Sequence, residues 1–83
     1  MTNKKNTLSK HNFANNLRKL RKERGLTIEE FAFQIDKSPR LIYDYESDLK
    51  FPSLDTLIEI AEFLGVEIDS ILRAAWGAIF LNS

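Results

Sequence analysis

Two signals for the start of a helix lie eleven residues apart, and they leave space between them for only a short helix and a tight turn. The first is the segment Thr27-Ile28-Glu29-Glu30, in which a threonine and a glutamate three residues later form a capping box. The second is Ser38 followed by Pro39, a serine N-cap with proline at the first helical position. We therefore expect two short helices, at 28–35 and 39–46, joined by a tight turn at Asp36-Lys37.

Apolar periodicity, with serine or glycine at the ends, indicates the helices on either side of this pair. Phe13, Leu17 and Leu20 recur on one face of a first helix, which ends at Gly25 in a left-handed conformation. A fourth helix begins after Ser53 and ends at Gly65. The side chains expected to face the core from helices two, three and four are Phe31, Ala32, Ile35, Ile42, Tyr45, Leu54, Leu57, Ile58, Ala61 and Leu64.

A fifth helix is expected from near Ile68 to the end of the sequence, because one apolar stripe continues there without interruption. Its first members, Ile68, Ile71 and Leu72, suffice to close the core. The rest of the stripe would then form an exposed apolar patch, which usually marks an interface. This expected dimerisation surface consists of Ala75, Trp76, Ile79 and Phe80. Symmetric dimers are the commonest oligomers, so we expect a homodimer; the alternative is that helix five folds back onto its own core.

The 83 residues are too few for more than one domain, and the expected class is all-α. We expect a flexible basic arm at 1–9, the helical domain at 10–72, and an extension of helix five at 73–83.

Several functional classes are disfavoured by composition. The sequence has no cysteine and one histidine, so disulfides and cysteine-based metal sites are excluded. No apolar run reaches the about 18 residues of a membrane span, and no secretory signal follows the N-terminal lysines. We expect a cytoplasmic protein with no membrane association, cofactor, metal or small-molecule substrate. An enzyme is the least favoured class, because the sequence has no glycine-rich phosphate loop and no separate catalytic domain.

The formal net charge is zero, but the charges are unevenly distributed. Residues 1–24 contain eight basic residues and one acidic residue, whereas residues 25–83 contain four basic and eleven acidic residues, giving +7 and −7. Such polarity suggests an electrostatic partner, although a solvated basic helix is the simpler explanation.

Two short helices joined by a tight turn form a helix-turn-helix unit, in which one helix is held so that the other can enter the major groove of DNA. The stretch from Leu17 to Leu72 also resembles the phage repressor/Cro (XRE-type) helix-turn-helix family. The matching residues are Leu17-x-x-Leu20-Arg21, Gly25-Leu26-Thr27, Glu30-Phe31-Ala32, Ile35, Ser38, Ile42, Glu46, Pro52-Ser53 and Leu57-x-x-Ile60-Ala61-x-x-Leu64-Gly65-Val66.

The resemblance implies a five-helix, lambda-repressor-like DNA-binding domain and assigns roles to particular residues. The family's small residue in helix two falls on Ala32. Its structural arginine–glutamate pair, which links helix one to the end of helix three, falls on Arg21 and Glu46.

The family's base-reading positions fall on the outward face of helix three. Arg40 can donate to guanine O6 and N7, and Asp44 can accept from cytosine N4; a solvated Arg40–Asp44 pair at i, i+4 is the alternative. The complete expected set of DNA-binding residues is Lys37, Ser38, Pro39, Arg40, Tyr43, Asp44 and Lys50.

Three departures from the family pattern weaken the expected attraction to phosphate. Ile28 stands where the family often has glutamine, and Asp36 and Asp48 stand where it has glycine. Residues 36–50 contain three basic and four acidic residues, a net charge of −1. Phosphate attraction must then come mainly from the N-terminal arm, helix one, Lys37 and Lys50.

The function favoured by these observations is a dimeric transcriptional regulator that binds double-stranded DNA and recognises an inverted repeat through helix three. The second hypothesis is a protein-interaction module in which helix three has lost DNA affinity and contacts another regulator. A protein co-regulator is also compatible with the first hypothesis.

Overall fold

The computed structural model describes residues 10–74, and its regular elements are five helices. They are α1 (Lys10–Glu23), α2 (Ile28–Gln34), α3 (Pro39–Glu46), α4 (Leu54–Leu64) and α5 (Ile68–Leu72). The expected all-α class is confirmed. Within the described residues, no helix is both long and apolar enough to cross a membrane.

Helices α2, α3 and α4 begin at the expected residues because side-chain oxygens cap their first turns. The Thr27 hydroxyl accepts a hydrogen bond from the Glu30 N–H at 3.0 Å, and the Thr27 N–H donates to the Glu30 carboxylate at 2.9 Å. The Ser38 hydroxyl accepts from the Leu41 N–H at 3.1 Å, and Ser53 caps α4 in the same way. These bonds satisfy N–H groups that have no partner inside the helix.

Helices α1 to α4 share one type of ending, in which a left-handed residue reverses the chain. Gly25 and Gly65 have φ angles of 71° and 72°, while Asp36 and Asp48 adopt φ angles of 59° and 62°. In each case the N–H of the next residue reaches the carbonyl five residues earlier, at 2.9–3.2 Å, as in a Schellman motif. Aspartate serves at two of these positions because its short polar side chain tolerates the left-handed region.

All five helices contribute to the core, and α2 packs against α3. Its buried cluster consists of Phe13, Leu17, Phe31, Ala32, Ile42, Tyr45, Leu57, Ile60, Leu64 and Ile71. The prediction for α4 was wrong at two positions. Leu54, expected to face the core, is 66% exposed, whereas Ile60, which was not in the expected set, is fully buried. Leu54 is the first residue of α4, and the buried face of that helix begins one turn later at Leu57.

The expected continuation of α5 through 73–83 is wrong where it can be compared, because the helix ends at Leu72 and Arg73 is extended (φ −91°, ψ 142°). Two asparagine side chains of α1 occupy the carbonyls that another helical turn would use. Asn16 Nδ2 donates to the carbonyls of Ile71 (2.9 Å) and Arg73 (2.7 Å), and Asn12 Nδ2 donates to that of Leu72 (2.9 Å). Residues 1–9 and 75–83, including the expected arm and dimerisation surface, lie outside the described residues.

The Asn16 bonds predict a specific loss of stability when that side chain is removed. Asn16 is buried, and Asn16→Ala would leave two carbonyls at the end of α5 without their donor. We expect the free energy of unfolding, measured by urea denaturation, to fall by about 1–3 kcal/mol.

The matched control is Asn15→Ala, because Asn15 is the exposed neighbour on the same helix. It carries the same change in helix propensity without the loss of a bond to α5. Equal effects of the two substitutions would contradict a bonding role for Asn16.

Candidate nucleic-acid interface

The orientation of α3 is set by an ion pair that joins three parts of the fold. Arg21 Nε donates to Glu46 Oε2 at 2.6 Å and Arg21 Nη2 donates to Glu46 Oε1 at 2.9 Å, so the pair is bidentate. Arg21 Nη1 also donates to the Leu26 carbonyl at 2.7 Å, in the turn between α1 and α2. The structure thus places Arg21 and Glu46 together as the sequence predicted.

Burial makes this pair more costly to break than a surface salt bridge, because removal of one partner leaves an uncompensated buried charge. The Arg21 and Glu46 side chains are only 8% and 5% exposed. The hydrogen bond to Glu46 raises the pKa of Arg21 above its ordinary value, against the opposing effect of burial. A buried ion pair is tolerated when its hydrogen bonds are satisfied, and here three guanidinium nitrogens have acceptors.

The junction of α2 and α3 is compact. Ala32 is fully buried within α2, where a small side chain allows α3 to pack closely. Ile28, the first residue of α2, packs against the core. Its side chain therefore contributes to folding, and it has no polar group with which to bind phosphate.

The opposite side of α3 is exposed and begins with Ser38 and Pro39. The Arg40 side chain is 78% exposed, and its guanidinium carbon lies 5.7 Å from the centre of the Tyr43 ring. Tyr43 is itself 49% exposed. Arginine and an aromatic ring at this separation attract one another, so the two side chains form one surface unit.

The structure contradicts the expected outward position of Asp44. Its side chain is only 7% exposed, and it accepts a hydrogen bond from Arg40 Nε at 3.1 Å. The loop that follows α3 returns to this residue: the N–H groups of Leu49 and Lys50 donate to the Asp44 main-chain carbonyl at 2.9 and 3.3 Å. The Arg40–Asp44 pair, which was the alternative to base contact, is therefore the arrangement that the structure shows.

Each of the three cations expected at the interface has a carboxylate partner. Arg40 pairs with Asp44, and Lys50 Nζ lies 3.7 Å from Asp44 Oδ2. Lys37 Nζ lies 3.2 Å from Glu59 Oε1 on α4. Sequence reasoning missed the Glu59 and Lys50 contacts. The spacing of four residues between Arg40 and Asp44 indicated a pair on one helix face, whereas no local pattern connects Lys37 to a residue on another helix.

The comparisons with known proteins agree with this geometry. The family described as Helix-turn-helix (HTH_3) matches residues 17–71, which is more than half of the sequence. The chain therefore belongs to this helix-turn-helix family.

Individual proteins share between about a quarter and two fifths of their residues with this chain over the matched segments. The chain is 37% identical over 60 residues to the HTH-type transcriptional regulator YobD of Bacillus subtilis, covering 72% of this chain and 54% of YobD. The chain thus spans about half the length of that relative. The clp gene regulator ClgR of Corynebacterium glutamicum superposes with a TM-score of 0.72 and 26% identity, over 88% of this chain and 78% of ClgR.

A further solved structure matches nearly the whole length of both chains. The hypothetical transcription factor NHTF from Neisseria has a TM-score of 0.80 over 98% of this chain and 99% of its own. At 21% identity, this likeness is evidence for the fold alone.

The geometry of the ion pair predicts that Glu46 matters for folding. Glu46→Ala would leave the buried Arg21 guanidinium without its carboxylate, and breaking a buried pair costs about 3–5 kcal/mol. We expect a fall of this size in the free energy of unfolding, measured by urea denaturation. Glu23→Ala is the control, since Glu23 forms an exposed pair with Lys19 at 3.8 Å and should cost less than about 1 kcal/mol. A Glu46→Ala variant with unchanged stability would contradict this role.

Proposed function

We propose that this protein is a transcriptional regulator that binds double-stranded DNA in a sequence-specific manner through the exposed face of α3. The observation that carries the proposal is the presentation of Arg40 and Tyr43 on a helix fixed to α1 by the Arg21–Glu46 pair. The major groove is about 12 Å wide and admits one helix. Membership of the helix-turn-helix family and similarity to a relative named as a transcriptional regulator support the same function.

The proposed contacts divide into base reading and phosphate binding. Arg40 has its terminal nitrogens available for guanine O6 and N7, because its ion pair uses only Nε. Ser38 and Pro39 lie at the start of α3, and Pro39 could contact a thymine methyl group. Lys37 and Lys50 would exchange their carboxylate partners for phosphates when DNA binds.

The alternative function is a protein-interaction module with weakened DNA binding. It is favoured by one observation, that Lys37, Arg40 and Lys50 all have carboxylate partners in the free protein. DNA recognition is the better-supported function, since the Arg40 guanidinium remains exposed despite its pairing. Our proposal places the protein in the cytoplasm and assigns it no catalytic activity.

We further propose that the regulator is a homodimer that reads an inverted repeat, with Ala75, Trp76, Ile79 and Phe80 at the dimer interface. An apolar groove of about 200 Å³ lies between α1 and α5, with Leu20, Val66 and Ala74 in its lining. Ala74 directly precedes the proposed interface, so the corresponding segment of a second copy would cover this groove. Pairing by a two-fold axis would set two α3 helices about 34 Å apart, one turn of DNA.

Replacement of Arg40 tests the proposed base reading. On duplexes recovered by selection from random DNA, Arg40→Ala should weaken binding by roughly 1–3 kcal/mol and relax the preference at one base position. Lys37→Ala is the control, because loss of a phosphate contact weakens binding about equally on all sequences. Fluorescence anisotropy with labelled duplexes measures both effects.

Two results would contradict the proposed function. Arg40→Ala could leave the affinity of every duplex unchanged, which would remove this side chain from the interface. Alternatively, the wild-type affinity could be independent of salt between 50 and 200 mM, whereas phosphate binding requires a slope of about −0.9 per contact in a plot of log K against log salt concentration. A flat plot would favour the protein-interaction module.

The dimer is tested by removing its two proposed aromatic anchors together. Aromatic side chains dominate interface energetics, so Trp76→Ala combined with Phe80→Ala should give a folded monomer with much weaker DNA binding. Sedimentation velocity at micromolar concentration measures the oligomeric state. Phe33→Ala is the control, because Phe33 is an exposed aromatic residue on α2. A monomeric wild type, or a double variant that remains dimeric, would overturn the proposal.

A further inference from the structure

Asp44 is a carboxylate whose surroundings suggest more than a structural role. It is buried, while the side chains of its two partners, Arg40 and Lys50, are 78% and 61% exposed. A buried carboxylate is costly unless it is paired, so Asp44 holds these cations close to it. Both cations lie at the surface that we propose contacts DNA. The carboxylate therefore controls the position of the side chains that would make those contacts.

The pairing holds the Arg40 guanidinium group through one of its nitrogens, Nε. Asp44 Oδ1 accepts from Arg40 Nε at 3.1 Å, which leaves Nη1 and Nη2 as the unused edge. The Tyr43 ring lies 5.7 Å from the guanidinium carbon and restricts its movement on one side. A free arginine side chain has several rotatable bonds, and holding it in advance reduces the entropy lost when it binds.

The major groove contains one base that matches two adjacent fixed donors. Guanine presents two acceptors, O6 and N7, whereas adenine presents an acceptor and a donor. Cytosine presents its N4 donor, and thymine presents one acceptor and a methyl group. A guanidinium group that rotates freely can bind other partners, including phosphate. A guanidinium group held at Nε directs Nη1 and Nη2 outward as two adjacent donors, which match the O6 and N7 acceptors of guanine.

We propose that Asp44 is a positioning residue that holds Arg40 for guanine and thereby sets base specificity. The inference rests on the proposed function, since it concerns the same α3 surface. It also implies an opposing effect on affinity, because the carboxylate competes with phosphate for Arg40 and Lys50. Asp44 thus lowers affinity for DNA in general while increasing the preference for one base.

The test compares three variants with the wild type on the duplexes recovered by selection. The relevant base pair is the position at which Arg40→Ala loses its preference. Asp44→Ala should reduce the preference for guanine at that position by about tenfold. The same variant should bind unrelated duplexes at least as tightly as the wild type. A residue with a merely structural role would weaken binding to all duplexes together.

Glu59→Ala is the matched control for charge. It removes a carboxylate that pairs with an interface cation, Lys37, but it does not contact Arg40. It should raise general affinity and keep the preference for guanine. Asp44→Asn retains an oxygen that can accept from Arg40 Nε, so it should recover part of the preference lost in Asp44→Ala. If Asp44→Ala does not fold, Asp44→Asn replaces it in the test. The preference of Asp44→Asn for guanine should then be weaker than that of the wild type.

The outcomes separate this inference from the proposed function. If the wild type enriches no sequence from random DNA, the proposed function itself fails. If the wild type selects guanine and the Asp44 variants keep the full preference, only the positioning role is overturned. The backbone bonds from Leu49 and Lys50 to the Asp44 carbonyl do not involve the side chain, and urea denaturation verifies that each variant is folded.

Discussion

The buried pair of Arg21 and Glu46 is the interaction on which the arrangement of the α3 surface depends. Its two hydrogen bonds join α1 to the end of α3, and the third guanidinium nitrogen donates to the Leu26 carbonyl in the turn before α2. Hydrophobic packing alone allows helices to slide or rotate by small amounts, because it has no direction. A bidentate pair has a fixed geometry and a large penalty for separation. It therefore sets the angle at which α3 is presented.

Local chemistry explains how much of the fold could be predicted from the sequence. The starts at Thr27, Ser38 and Ser53 depend on bonds across three residues, and the endings at Gly25 and Gly65 depend on one residue's conformation. Such signals are complete within a short segment. The Arg21–Glu46 pair was also expected, but only through the family resemblance, since the two residues are 25 positions apart.

The incorrect predictions concern residues whose environment is set by distant parts of the chain. Apolar periodicity predicted that α5 continues beyond Leu72. In the structure, Asn12 and Asn16 of α1 donate hydrogen bonds to the carbonyls at the end of this helix. Helical periodicity placed Asp44 outward, but its side chain is only 7% exposed and pairs with Lys50 of the loop after α3. Lys37 and Glu59 meet only after α4 has packed. In each case the residue that determines the environment lies in another segment of the chain. The local sequence pattern therefore contains no information about that contact.

The outward face of α3, held by the Arg21–Glu46 pair, is the surface that we propose contacts DNA. The most direct measurement is a titration of ¹⁵N-labelled protein with a duplex recovered by selection, followed through backbone amide chemical shifts. We expect the largest changes on Lys37 to Tyr43 and on Lys50, with small changes on α4 around Glu62. Changes centred on α4, or no changes at any duplex concentration, would contradict the proposal.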